Sequence, residues 1–413
     1  MSANQFGFRI KRSTSDAVHS LTDHIVTGLD NKEKCIAVFL DLAKAFDTVS
    51  IPTLITKLEC LGIRGLPLEL FNSYLNGRSQ IVKIGDCTSQ PLSVIYGIPQ
   101  GSVLGPTLFI SYLNDLCQLS LANGKIIMFA DDTVLVFKAS SWTDVFYHAQ
   151  EGINKVKKWL NDHLLTLNVE KTKYLTFSIH QVSISSNLQL IAHACNISLQ
   201  SRCSCKPLQR AKLIKYLGVD IDHHLSFETH INNLSIRLRK LILIFKNLRH
   251  IADRNIIKTV YFAICQSVIG YCITSWGGSY KSHMLKLERA QRAILKVSAF
   301  LPKLYSTSEL YKLWNVLTVR QIFILQTILK KHTELTYNPK LIITKRRKGT
   351  VCPTTTHRTN FSRKFYAFLG NFLYNKINTK LLFYGMTKRK TKKALTNWLL
   401  DKTYDSTEKI LIA

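Results

Sequence analysis

Two short apolar runs, residues 126–130 and 133–137, are separated only by Asp131-Asp132. That spacing fits a tight hairpin and places two carboxylates at its tip. A third apolar run, Cys-Ile-Ala-Val-Phe-Leu at residues 35–40, is rich in strand formers and ends in Asp41. One Asp at a strand end is usually a turn former. Three carboxylates delivered by buried strands are different, because clustered negative charge on an apolar scaffold is costly unless a cation fills it. Hard oxygen donors suit Mg²⁺ or Mn²⁺, with phosphate oxygens and water completing an octahedron. Two such ions about 4 Å apart serve in-line displacement at phosphorus, so the pattern predicts nucleotidyl-transfer chemistry.

The surroundings of these acids read as an α/β enzyme core over residues 1–178. Ser13 followed by Asp16 predicts a capped helix start, with Ala17, Leu21 and Ile25 on its buried face. Residues 50–61 read as helical. Between the acids lies Gly97-Ile98-Pro99-Gln100-Gly101-Ser102-Val103-Leu104-Gly105-Pro106, a constrained loop that lets a base pair or sugar come close to backbone. It lacks the Gly-Lys-Ser/Thr ending of a P-loop. From about residue 226 the period changes. Ile231, Leu234, Leu238, Leu241, Ile242, Phe245 and Leu248 predict one long amphipathic helix, followed by helices around residues 256–269 and 287–297.

The chain carries 56 lysines and arginines against 26 acids over 413 residues, a formal net charge of +30. That excess favours a polyanionic partner, because each phosphate neutralised releases a condensed counterion. Arg237, Arg239, Lys240, Arg289 and Arg292 fall on the polar faces of the predicted helices. Residues 340–413 hold 17 basic residues against 3 acids, including Lys345-Arg346-Arg347-Lys348 and the run from Lys388 to Lys393. Phe361, Phe365, Tyr366, Phe368, Phe372, Tyr374, Phe383 and Tyr384 interleave with them, either as a stacking surface for single strands or as the core of a folded cap. No apolar run reaches the roughly 18 residues of a membrane span, and no signal peptide is visible. A soluble protein of the nucleus and cytoplasm is expected. The ten cysteines are scattered, which suits reduced thiols. Cys195, Cys203 and Cys205 with His193 lack zinc spacing.

The ordered set of motifs resembles the reverse transcriptases of non-LTR (LINE-like) retrotransposons. Phe39-Leu40-Asp41-Leu42-Ala43-Lys44-Ala45-Phe46-Asp47, the loop at residues 97–106, and Phe129-Ala130-Asp131-Asp132 look like motifs A, B and C of that family. Asn4-Gln5-Phe6-Gly7-Phe8-Arg9 is similar to its second block. Leu167-Asn168-Val169-Glu170-Lys171-Thr172 resembles motif D, and Tyr216-Leu217-Gly218-Val219 the primer grip. The resemblance implies an α+β right-hand polymerase. Partial fingers and palm would occupy residues 1–225, a helical thumb 226–300, and a basic, partly helical region 301–413.

The resemblance also implies roles. Asp41, Asp131 and, less centrally, Asp132 would hold two Mg²⁺ or Mn²⁺ ions, with the Leu42 carbonyl as a further ligand. Phe46 would rest against the sugar of the incoming nucleotide and exclude a 2′-hydroxyl. Gln100 and Gly101 would position nucleotide and template, Lys171 would protonate the leaving pyrophosphate, and Tyr216, Leu217 and Gly218 would hold the primer. RNA template, DNA primer and dNTPs are the implied partners. Asp47 is expected to be a helix-start charge or a structural hydrogen-bonder, not a ligand. The family's first fingers block and endonuclease have no counterpart in this sequence, so an upstream segment or partner supplying them is expected. The rival readings are a non-catalytic nucleic-acid-binding remnant and an RNA-dependent RNA polymerase, the latter opposed by Phe46.

Overall fold

The computed structural model describes residues 1–179, 185, 187–193, 205–338, 351–353 and 356–412. They divide into two units, residues 1–28 with 32–212 and residues 29–31 with 213–413.

Helix α1 (Thr14–Asp30) begins where the sequence places it. The Ser13 hydroxyl accepts from the Asp16 N–H at 3.3 Å while the Asp16 carboxylate accepts from the Ser13 N–H at 3.1 Å, a reciprocal cap with Asp standing for the usual Glu. Ala17, Leu21 and Ile25 are fully buried. Strand β1 (Lys34–Leu40) follows, then the two-residue β2 (Leu42–Ala43). Helix α2 (Ile51–Cys60) is capped by Ser50, whose hydroxyl accepts from the Thr53 N–H, with Pro52 in the first turn where its missing N–H is harmless. Helix α3 (Leu66–Leu75) leads to four short strands, β3 (Ser79–Gln80), β4 (Lys83–Ile84), β5 (Cys87–Thr88) and β6 (Leu92–Ser93). Helix α4 (Gly105–Tyr112), strands β7 (Gly124–Phe129) and β8 (Asp132–Ala139), helix α5 (Trp142–Asp162), and strands β9 (Thr166–Leu167), β10 (Lys173–Phe177) and β11 (Gln209–Arg210) complete the first unit.

One five-stranded sheet, ordered β11-β10-β1-β8-β7, organises that unit; its pairs are antiparallel except β10 with β11. β1 lies between β8 and β10, and Cys35 to Val38 are fully buried on both faces. That is why the run at 35–40 is continuously apolar instead of alternating. Helix α5 covers one face with Val145, Ala149, Ile153 and Leu160. Gly152 brings this helix against Phe137, since a Cβ there would stand 2.3 Å from the ring.

The second unit opens with the hairpin β12 (Leu213–Tyr216) and β13 (Val219–Asp222), turned by Leu217 and Gly218 at φ 44° and 80°. Two positive φ angles give the tight turn that matches strand twist. The long helix predicted from residue 231 is two helices, α6 (Glu228–Lys240) and α7 (Ile242–Leu248). The Leu241 N–H donates to Leu238 O, a tightened turn that offsets the second helix and leaves Leu243 and Ile244 exposed. The predicted segment near 256–269 is α8 (Arg254–Tyr261), a π-helical turn over Phe262–Gln266, and α9 (Ser267–Gly270). Then come α10 (Ile273–Trp276), α11 (Lys281–Ser298), α12 (Thr307–Trp314), α13 (Val319–Tyr337), α14 (Tyr366–Leu381), α15 (Lys388–Leu400) and α16 (Tyr404–Leu411).

Helix α13 is the axis of this unit's C-terminal part. Gln321 joins Thr318 in a capping box and also donates to Leu399 O at 2.7 Å. Buried His332 bridges Tyr374 Oη at 3.0 Å and Met386 O at 2.8 Å. Phe365, Tyr366, Tyr374 and Phe383 are buried around it, so of the eight tail aromatics only Tyr384 is exposed. Among the described residues no helix is long and apolar enough to cross a membrane. The eight described cysteines are free thiols; Cys195 and Cys203 lie outside the described residues.

Candidate active site

The hairpin that carries the acids is one residue out of step with its sequence reading. Phe129 pairs with Asp132, so the two-residue turn is Ala130-Asp131 and Asp132 already belongs to β8. Ala130 takes φ 55° to make it. A hairpin this tight needs left-handed backbone, and here an alanine supplies it at some conformational cost.

Asp41 directly follows β1, next to the strand that carries Asp132. Its backbone is fixed from both sides by the turn after β9. The Asn168 N–H donates to Asp41 O at 2.8 Å, and the Asp41 N–H donates to the hydroxyl of fully buried Thr172 at 3.3 Å. Thr172 in turn donates to Asn168 O at 2.7 Å. Leu42 lies in the bridge that pairs β2 with β9, opposite Leu167. Lys171 is exposed in the same turn, its N–H donating to Asn168 Oδ1 at 3.2 Å.

Asp132 feels the other two carboxylates. The Asp132 carboxyl is pushed above the ordinary carboxylate range, first by desolvation at the crowded tip, although much of the residue's surface meets solvent, and then by Asp131 and Asp41. Among the described residues no group of three or more His, Cys, Asp or Glu side chains closes into a ligand cage. Carboxylates of like charge spread apart, and a cation shared with phosphate oxygens requires fewer protein donors than a caged ion. The donor chemistry and mutual repulsion therefore fit a divalent ion whose shell is completed by substrate.

The loop at 97–106 is stitched to the segment after Asp41. Gly97 N–H donates to Val49 O at 2.8 Å and Ile98 N–H to Phe46 O at 2.9 Å. Gly97, at φ 93°, would bring a Cβ within 3.0 Å of the Asp47 backbone. Gln100 Nε2 donates to Asp47 Oδ1 at 2.7 Å, so Asp47 orients Gln100. Gly101 is exposed at φ 80°, leaving its backbone open to approach. Phe46 is half-buried and stacks on Phe109 with centroids 4.0 Å apart.

In the second unit, Tyr216 is buried in β12 and Leu217 O accepts from Tyr271 Oη at 2.8 Å. Arg237, Arg239 and Lys240 are exposed on α6 and Arg289 on α11, while Arg292 is half-buried. Arg346 and Arg347 lie outside the described residues. Sequence reasoning missed the partnership of Asp47 with Gln100 and the bracket of Asn168 and Thr172 around Asp41. Both sets stood inside recognised motifs, which was the only signal available.

Acids at adjacent strand ends, and a glycine-rich loop tied to the segment that follows Asp41, are the arrangement a nucleotidyl transferase would need. The reverse transcriptase (RNA-dependent DNA polymerase) family matches residues 1–221, and the chain belongs to it. Among its relatives is the RNA-directed DNA polymerase from mobile element jockey of Drosophila melanogaster, 28% identical over 309 residues, covering 71% of this chain and 31% of that protein. The probable RNA-directed DNA polymerase from transposon BS of the same fly is 29% identical over 333 residues, 77% of this chain and 35% of its own length. The chain thus spans about a third of these relatives. A solved telomerase from Candida albicans aligns with 76% of this chain and 55% of its own at 12% identity and a TM-score of 0.43. Members of the family use divalent metal ions.

Proposed function

We propose that this chain is the polymerase portion of a non-LTR retrotransposon protein, copying an RNA template by extending a DNA 3′-hydroxyl with dNTPs. The observation that carries this reading is the placing of Asp41, Asp131 and Asp132 at neighbouring strand ends, where Asp131 and Asp41 add to desolvation in raising the Asp132 carboxyl. The first unit would supply palm and partial fingers, residues 226–300 the thumb, and residues 301–413 a basic extension. Asp41 and Asp131 would hold two Mg²⁺ or Mn²⁺ ions, with Asp132 and the Leu42 carbonyl at the margin. Such ions, when bound, supply Lewis acidity to the attacking hydroxyl and the departing pyrophosphate.

The chain's own residues do the rest. Phe46, braced by Phe109, presents a ring against the sugar and rejects a 2′-hydroxyl. Gln100, oriented by Asp47, and the open backbone at Gly101 seat the base pair. Lys171 delivers a proton to pyrophosphate. Tyr216, Leu217 and Gly218 hold the primer end, and Arg237, Arg239, Lys240, Arg289, Arg292, Arg346 and Arg347 neutralise backbone phosphates. The protein works in the nucleus and cytoplasm.

The test is primer extension on a primed RNA with dNTPs and Mg²⁺ or Mn²⁺, beside Asp131→Asn. Incorporation should fall at least about a hundredfold in the variant, the scale of a lost transition-state contact, with RNA binding unchanged. RNA binding without extension, both in this chain and in one lengthened upstream, would favour the non-catalytic remnant instead.

A further inference from the structure

The segment before α1 lies along the outer edge of β7. Met128 N–H donates to Asn4 O at 3.0 Å, Phe6 N–H donates to Met128 O at 2.8 Å, and Gln5 pairs in parallel with Met128. This places Gln5, 1% exposed, beneath the turn that carries Asp131. Its Oε1 accepts from Gly7 N–H at 2.8 Å and from Ala130 N–H at 3.1 Å. Ala130 is the residue in the left-handed conformation, and Asp131 is attached directly to it. Gly7 closes the contact, since a Cβ there would stand 2.4 Å from the Ala130 nitrogen, which is backbone and cannot yield. Arg9 fastens the segment by donating to Gln5 O at 3.3 Å.

We infer that Gln5 is a positioning residue for the metal-binding carboxylates: its side-chain carbonyl locks the Phe129–Ala130 peptide at the entry to the turn and so fixes the direction in which Asp131 leaves the hairpin. The inference rests on the proposed function for the metal. The half of the amide that matters is the acceptor, because Gln5 Nε2 is buried and makes no hydrogen bond. A residue serving only to fill this space would carry no buried polar group needing a partner. Rotation of the Phe129–Ala130 peptide would turn Ala130 and swing the carboxylate that follows it, and small displacements of a reacting constellation are expensive in rate.

The decisive variant is Gln5→Met, which keeps the length and removes the acceptor. Three readouts apply to the full chain: Mn²⁺ binding by electron paramagnetic resonance, primer-extension kinetics, and amide exchange of residues 129–132. The variant should raise Mn²⁺ half-saturation and lower kcat, each by about tenfold, at the modest end of what misplacement costs. KM for template–primer should stay within about twofold, since no substrate contact is lost. Exchange across 129–132 should accelerate in the variant. A wild type that binds no Mn²⁺ overturns the proposed function. A wild type that binds Mn²⁺, beside a variant equal to it in half-saturation and kcat, overturns this inference alone. So does an Ala130 amide that exchanges in the wild type like an open loop, a result that needs no variant to fold.

Discussion

At the scale of single residues, Phe46 has two jobs that one substitution separates. Its ring stacks on Phe109 at 4.0 Å, and an aromatic pair contributes about 0.5–1.5 kcal/mol beyond burial. Phe46→Val should therefore lower the melting temperature modestly while raising the ratio of ribonucleotide to deoxyribonucleotide incorporation by about tenfold, the discrimination a few carbons provide. Competitive incorporation assays measure that ratio, and an unchanged ratio in an active preparation would remove Phe46 from the sugar site. The acids stood out in the sequence by their place at strand ends, and Phe46, Gln100 and Lys171 only through the order of motifs that resemble the family. What holds them was not legible. Thr172 behind Asp41 and Asp47 beside Gln100 are neighbours through space, 131 and 53 positions apart in the chain, and neither partnership has a local pattern.

At the scale of elements, strands and caps were legible where local chemistry decides them. Ser13 with Asp16 and the apolar run of β1 both do what their residues dictate, while Ser50, read as part of its helix, is the cap before α2. The hairpin was misread by one residue because Ala130 makes a left-handed turn that composition does not announce. The helix from residue 228 was misread because an uninterrupted apolar period does not reveal the tightened turn at Leu241. Gly97→Ala should be strongly destabilising to the loop at 97–106. Left-handed backbone costs an L-residue roughly 1–2 kcal/mol, and the new Cβ would also press on Asp47 at 3.0 Å. Denaturant melts of the variant report the loss, and wild-type stability would show that the loop has another conformation. The hairpin β12–β13 carries a pH dependence. His230, buried on α6 with its ring edge-on to Trp276, faces Asp220 at 3.7 Å, and Lys215 also acts on it. Burial pushes its pKa down from 6.5 to about 4, against the pull of Asp220. The neutral ring is thus the folded form, so its contribution is whole above pH 6.5 and is lost as pH falls from there towards 4. Thermal melts across that window should fall less steeply in His230→Phe than in the wild type.

At the scale of the whole molecule, the charge of +30 was plain from composition, whereas its use depends on packing. Helices α14, α15 and α16 cover α13, so removing residues 340–413 would strip a core as well as a charge. A cleaner test replaces Lys388, Arg389, Lys390, Lys392 and Lys393, all exposed on α15, with Gln. At roughly 0.7 per phosphate on a single strand, the slope of log affinity against log salt should become shallower by up to about 3.5 units. An unchanged slope would place the RNA elsewhere. The turn Ala130-Asp131 also sets the register of the strands it joins. A one-residue slip in the pairing of β7 with β8 would turn every β8 side chain to the opposite face while both aspartates stayed in the sequence. The aspartates alone therefore do not make the site; the pairing of Phe129 with Asp132 must be kept as well.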